Sequence, residues 1–293
     1  MPGLHAPLYA ALADDAFAAR GLAVRVLEPA ARPERLARLR SGAADVALVD
    51  LASLVDTVAT EPAFDARCVF VLGRHTPMAA LFVEGRPAPT HPIASPRDLL
   101  HARYGGEPAS QFVQEHRALL RRLGGDDPAL LVELPYEALL AALADGTIDV
   151  APDYAGILPT YQRAAGPSRL VGVLPYHDCG VSAYGTGLVA SGRALRQQPW
   201  AVRAFLAVVA SAYEAMRSQP EATVKAAGAV LPQLDVDYAL TEWRGEEEPA
   251  VFDAAHRLGE FDRLGWEHTI AWRREVAGFR DPPEPERLYE LLR

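Results

Sequence analysis

Residues 41–50 read Ser-Gly-Ala-Ala-Asp-Val-Ala-Leu-Val-Asp and close the segment, Leu4 to Asp50, whose reading decides the fold. Val46 to Val49 is a short apolar run of the kind buried in a parallel sheet. Upstream, Pro33 suits a first helical turn and Gly42 a helix stop, which predicts a helix over Pro33 to Arg40. Leu22 to Leu27 alternates apolar residues around Ala23 and Arg25 and reads as a strand. Leu8, Ala11, Leu12, Asp15 and Ala19 recur at spacings of three and four, so a helix precedes that strand and stops at Gly21. The order helix, strand, helix, strand contains the strand, helix, parallel strand unit of α/β folds.

Further along, Leu51 to Thr60 predicts a helix, and Cys68 to Leu72 and Met78 to Val83 two strands. Gly85 to Pro96 carries Pro87, Pro89, Pro92 and Pro96 and reads as a crossover linker over residues 85–96. Beyond it, Asp145-Gly146-x-x-Asp149-Val150-Ala151 echoes Ser41-Gly42-x-x-Asp45-Val46-Ala47, which implies two similarly built lobes. The expected division is lobe I over 1–84, lobe II over 97–180, a helical return to lobe I over 181–265 and a helical tail over 266–293. Val202, Phe205, Leu206, Val209 and Tyr213 place a core stripe on a helix from Trp200 to Met216.

Two features suggest a binding site. Tyr104-Gly105-Gly106-Glu107-Pro108-Ala109-Ser110 leads into a helix ending near Leu123, and a helix N-terminus after a glycine-rich loop suits an anion. The alternative is an ordinary strand-to-helix loop with Ser110 as N-cap. Glu107 opposes a strongly negative ligand unless its carboxylate faces away. Asp50 and Asp153 each end an apolar strand, where open α/β sheets place ligands, or else cap the helix that follows.

His5 to Ala10, Gly21-Leu22 before a strand and Ser41-Gly42-x-x-Asp45 before an apolar strand together resemble one solute-binding superfamily. It contains the thiamine-pyrimidine synthase of fungi, bacterial pyrimidine-precursor binding proteins and alkylsulfonate-binding proteins. The resemblance implies an α/β, two-lobed type 2 periplasmic-binding-protein fold with a ligand cleft between the lobes. It implies a small planar anionic ligand such as a thiamine pyrimidine precursor, no cofactor, and an ABC transporter permease as partner. It implies His5 as a cleft contact and the loop with Tyr104, Gly105, Gly106, Glu107 and Ser110 as the holder of the anionic group; beside these and the strand-end Asp50 and Asp153, a planar ligand would stack on Tyr9, Tyr154 or Tyr184. Members of the superfamily carry a strand before the His5 position, where only Met1 to Leu4 stand here. Either the natural start lies upstream, with an export signal, or this branch has lost that strand.

A second reading is a pyrimidine synthase like the fungal enzyme. That group holds pyridoxal phosphate on a lysine, consumes a histidine and carries a cysteine-rich motif. Aligned through Asp45 to Asp50, the lysine position falls at Leu48 and the histidine at Ala52, and Cys179 alone stands in the cysteine segment. Lys225 is the only lysine in the chain, so the Schiff-base position has no amine.

Composition narrows the classes further. The 293 residues are 50% hydrophobic and 23% charged, which is globular. A net charge of −9 opposes nucleic acid as a partner, since phosphate binding needs a basic face. The chain has no 18-residue apolar run and no signal peptide at its start, so as written it reads as cytoplasmic, or periplasmic or membrane-tethered with an upstream start. Cys68 and Cys179 read as two thiols, with a disulfide left open.

Overall fold

A computed structural model describes residues 2–27, 32–85, 92–252 and 256–292. In chain order the strands are β1 (Val46–Asp50), β2 (Ala66–Val71), β3 (Met78–Val83), β4 (Tyr104–Gly106), β5 (Leu131–Glu133), β6 (Ala151–Tyr154), β7 (Val171–Pro175) and β8 (Thr186–Ser191). The helices are α1 (Pro2–Ala13), α2 (Arg32–Ser41), α3 (Leu51–Thr60), α4 (Gln111–Leu123), α5 (Leu139–Asp145), α6 (Leu158–Ala165), α7 (Gly192–Gln197), α8 (Pro199–Ser218), α9 (Pro220–Gly228), α10 (Val236–Glu242), α11 (Glu248–Val251) and α12 (Arg263–Ala277). The chain divides into two compact units. Unit 1 comprises Met1–His75, Ala183–Arg273 and Phe279–Arg293, and unit 2 comprises Thr76–Ser182 and Arg274–Gly278.

In unit 1 the sheet order is β1-β8-β2, and β8 runs antiparallel to both neighbours. Side chains alternate across this sheet, as the period of two requires. Val46, Leu48, Phe70, Leu188 and Ala190 join a core with α1, α8, α9 and Trp243. Ala47, Val49, Cys68, Val71 and Val189 join a second core with α3, Trp266 and Leu288. Of the residues expected to form a helical tail, 266–273 and Phe279–Arg293 are part of unit 1, and Arg274–Gly278 belongs to unit 2. Leu288 O accepts from Cys68 N at 2.8 Å, and Glu290 N donates to Cys68 O at 3.0 Å, along β2.

Two expectations for the deciding segment need correction. The apolar run Val46 to Val49 is a strand, but its ladder is antiparallel, to β8. Among the described residues Leu22 to Leu27 enters no ladder. Leu22 and Val24 instead pack beside Phe17, Val208 and Phe205, so the alternation reports a half-buried face without a strand partner. Among the described residues β1 pairs with β8 alone, and Arg35 Nη1 donates to Leu48 O at 3.3 Å.

Unit 2 builds an antiparallel sheet in the order β6-β3-β7 and a parallel pair, β4-β5. β3 thus belongs to unit 2, where the sequence reading assigned it to lobe I. A bridge from Tyr104 to Val150 links β4 to the start of β6. Leu81, Leu139, Leu143, Ile148 and Tyr161 form the core. The centre of the expected linker, residues 86–91, lies outside the described residues.

Candidate functional site

In unit 1, His5 and Tyr9 stand one turn apart on α1. His5 is partly exposed by area, yet desolvation, aided by the Arg35 charge, pushes its imidazole down to about 4. It is therefore a neutral hydrogen-bonding ring near pH 7. Tyr9 packs partly buried on the α1 side of the sheet. Beside them Gly3 N donates to the buried carboxylate of Glu242 at 2.7 Å, and burial raises that carboxyl's pKa.

Asp50 caps α3, accepting from Ala52 N at 3.0 Å, which is the capping alternative. Tyr184 is a core residue. Its ring meets Trp266 edge-on at 5.4 Å, its hydroxyl accepts from Asp262 N at 3.1 Å, and its amide donates to Thr269 Oγ1 at 2.9 Å. Its phenol pKa is raised, chiefly by burial.

In unit 2 the glycine loop is built as its sequence demands, for reasons of packing. A Cβ on Gly105 would fall 2.8 Å from Leu139 and 2.9 Å from Ile148. Gly106 takes φ +146°, and a Cβ there would fall 2.6 Å from Val113. Ser110 caps α4, its Oγ accepting from Val113 N at 3.3 Å. Glu107 projects from the loop with its side chain exposed.

Tyr104 lies fully buried against His116, with ring centroids 4.7 Å apart, and burial raises its phenol pKa. It belongs to the interior and does not line the loop's surface. His116 is itself buried, its Nδ1 2.7 Å from Tyr176 Oη, and desolvation pushes it down to about 3. Tyr104 Oη and His116 Nε2 are buried polar atoms with no hydrogen-bond partner among the described residues.

At the end of β6, Asp153 is 1% exposed. Its carboxylate accepts from Tyr161 Oη at 3.1 Å, from Tyr136 Oη at 3.2 Å and from Tyr154 N at 2.8 Å. Burial, followed by the Asp153 charge, drives the Tyr161 phenol far up. Phe112, in the first turn of α4, lies near parallel to Tyr136 with centroids 5.6 Å apart and edge-on to Tyr154 at 5.1 Å. The structure thus brings Asp153 and Tyr154 together in unit 2 with Phe112, Tyr136 and Tyr161, and Phe112 lies two residues after the Ser110 cap of α4. Sequence reasoning missed Phe112 and Tyr136. Phe112 directly follows the loop and could have been found as a first-turn aromatic, whereas Tyr136 reaches Asp153 only through tertiary packing.

Cys68 and Cys179 are both free, with burial pushing the thiols up to about 12 and about 11. Among the described residues no three His, Cys, Asp or Glu side chains form a metal-holding group. No described helix is long and apolar enough to cross a membrane.

The unit sheets and their helices define the fold of periplasmic binding proteins, as three solved structures show. The periplasmic aliphatic sulphonate binding protein SsuA from Escherichia coli superposes with a TM-score of 0.75 at 16% identity, covering 97% of this chain and 88% of that one. The ligand binding component of an ABC-type import system from Staphylococcus aureus gives 0.66 at 14% identity, covering 99% and 93%. A Candida albicans protein described as having the generic periplasmic binding protein fold gives 0.65 at 13% identity, covering 97% and 91%. The chain belongs to the NMT1/THI5 like family, whose model matches residues 3–223. No curated protein shows significant sequence similarity to it.

Proposed function

We propose that this protein is a solute-binding component for a small anionic organic molecule with a planar ring, such as a thiamine pyrimidine precursor, delivering it to an ABC-type permease. The observation that carries the reading is the first turn of α4. There a tight loop at Gly106, the Ser110 cap and the positive end of the helix dipole adjoin the aromatic side chains Phe112, Tyr136 and Tyr154. A phosphate or sulfonate at such a terminus gains about 0.3–1 kcal/mol from the dipole when exposed and up to ~2 kcal/mol when partly buried. The family and the similarity to a sulphonate binding protein and to an import system's ligand binding component support a binding role, and Leu48 and Ala52, at the positions of the synthase lysine and histidine, supply neither amine nor imidazole.

A thermal-shift screen of phosphorylated pyrimidines, their dephosphorylated forms and alkylsulfonates tests the reading. It expects stabilisation by the anionic pyrimidines above all. Equal binding of neutral and phosphorylated forms would remove the anion from the proposal. As an import component the protein would act outside the cytoplasmic membrane, which cell fractionation checks.

A further inference from the structure

Asp153 is a buried carboxylate whose oxygens are engaged by two tyrosine hydroxyls and a backbone amide. A carboxylate so enclosed is poorly placed to meet a ligand directly. It can instead fix the rings that do. Tyr161 is buried and anchors Asp153 from within, while Tyr136 is 44% exposed and has its hydroxyl tied back to the same carboxylate. That tie holds the outer face of the Tyr136 ring in one orientation. Phe112 backs it at a plane angle of 18°, and Phe112 is two residues from the Ser110 cap of α4.

We propose that Tyr136, backed by Phe112 and aimed by Asp153, is the stacking face that makes this protein select aromatic over aliphatic anions, with Asp153 a positioning residue that does not touch the ligand. The inference rests on the anion reading of the α4 terminus and adds the residue that sets ligand class. Ring stacking of this kind is worth about two- to tenfold in affinity.

The test is calorimetric titration of the full chain with benzylphosphonate, pentylphosphonate and neutral benzyl alcohol, with NMR for weak binding. Benzylphosphonate is expected to bind about tenfold more tightly than pentylphosphonate. Tyr136→Leu, a change at an exposed position, should abolish that preference, so that benzylphosphonate and pentylphosphonate bind the variant equally. Tyr136→Phe should keep most of it, and Asp153→Asn should reduce the ratio of the two affinities, a selectivity change that a general loss of folding does not produce. Equal affinities in the wild type, or a preference surviving Tyr136→Leu, overturn the inference and leave the anion reading standing. Tyr136-dependent binding of benzyl alcohol with neither phosphonate bound upholds the stacking face and removes the anion reading. Binding of none of the three overturns both.

Discussion

Arg273 on α12 and Asp56 on α3 are joined by two parallel hydrogen bonds, 3.0 Å from Nε and 2.7 Å from Nη2, with the arginine side chain only 4% exposed. The guanidinium fork matches the carboxylate, and the pair ties the two helices across one core of unit 1. Asp56→Ala leaves that buried charge without its carboxylate. The expected loss is roughly 2–4 kcal/mol, below that of a fully buried pair because Asp56 is 36% exposed. A urea midpoint unchanged from wild type would contradict this.

Stability should fall on acidification through the histidines. His116 titrates at about 3 in the fold against 6.5 for the free side chain, so protonation favours the unfolded chain. Its contribution is complete above pH 6.5 and is lost as the pH falls from there towards 3, at about 1.4 kcal/mol per pH unit. His5, at about 4, adds in the same direction. Urea midpoints at neutral and mildly acidic pH should therefore diverge less in His116→Phe than in wild type, even though that variant starts from lower stability through loss of the hydrogen bond between His116 and Tyr176.

The α4 loop separates two kinds of damage. Ser110→Ala removes a cap and should cost about 1 kcal/mol. Gly106→Val adds a β-branched side chain at φ +146°, where the Cβ alone would already meet Val113 at 2.6 Å. It should cost more than Ser110→Ala in a melting experiment, and the reverse order would show that the loop relaxes freely.

Thiol chemistry should be slow in the native state. With pKa values near 12 for Cys68 and 11 for Cys179, the reactive thiolate is scarce at neutral pH. An aromatic disulfide reagent should label Cys179, which is partly exposed, before the fully buried Cys68, and both quickly in urea. Rapid native labelling of Cys68 would contradict the buried placement.

Local devices made much of the fold legible. Pro33 inside α2, the left-handed Gly42 just after it and the Asp50 and Ser110 caps end or begin elements where the sequence places them. Pairing was not legible, because β1 and β2 meet on β8, far along the chain, and alternation says which side chains are buried without saying what the backbone bonds to. The same limit applied to the site. Asp153 and Tyr154 stand out at a strand end, yet the partners of Asp153 come from a turn and a helix that only packing brings to it. Tyr104 and Tyr184 look like ligand aromatics in a linear reading and are interior rings in three dimensions.

The segment Leu22 to Leu27 has a consequence for how quickly deuterium enters the chain. Lacking a ladder, its amides should exchange through small local fluctuations, whereas those of β8, flanked on both sides, should wait for unfolding of the whole unit. Labelling in D2O followed by mass spectrometry should show that contrast as a sharp step in protection between peptides. Protection of Leu22 to Leu27 at the level of β8 would mean that the segment is a sheet strand in solution.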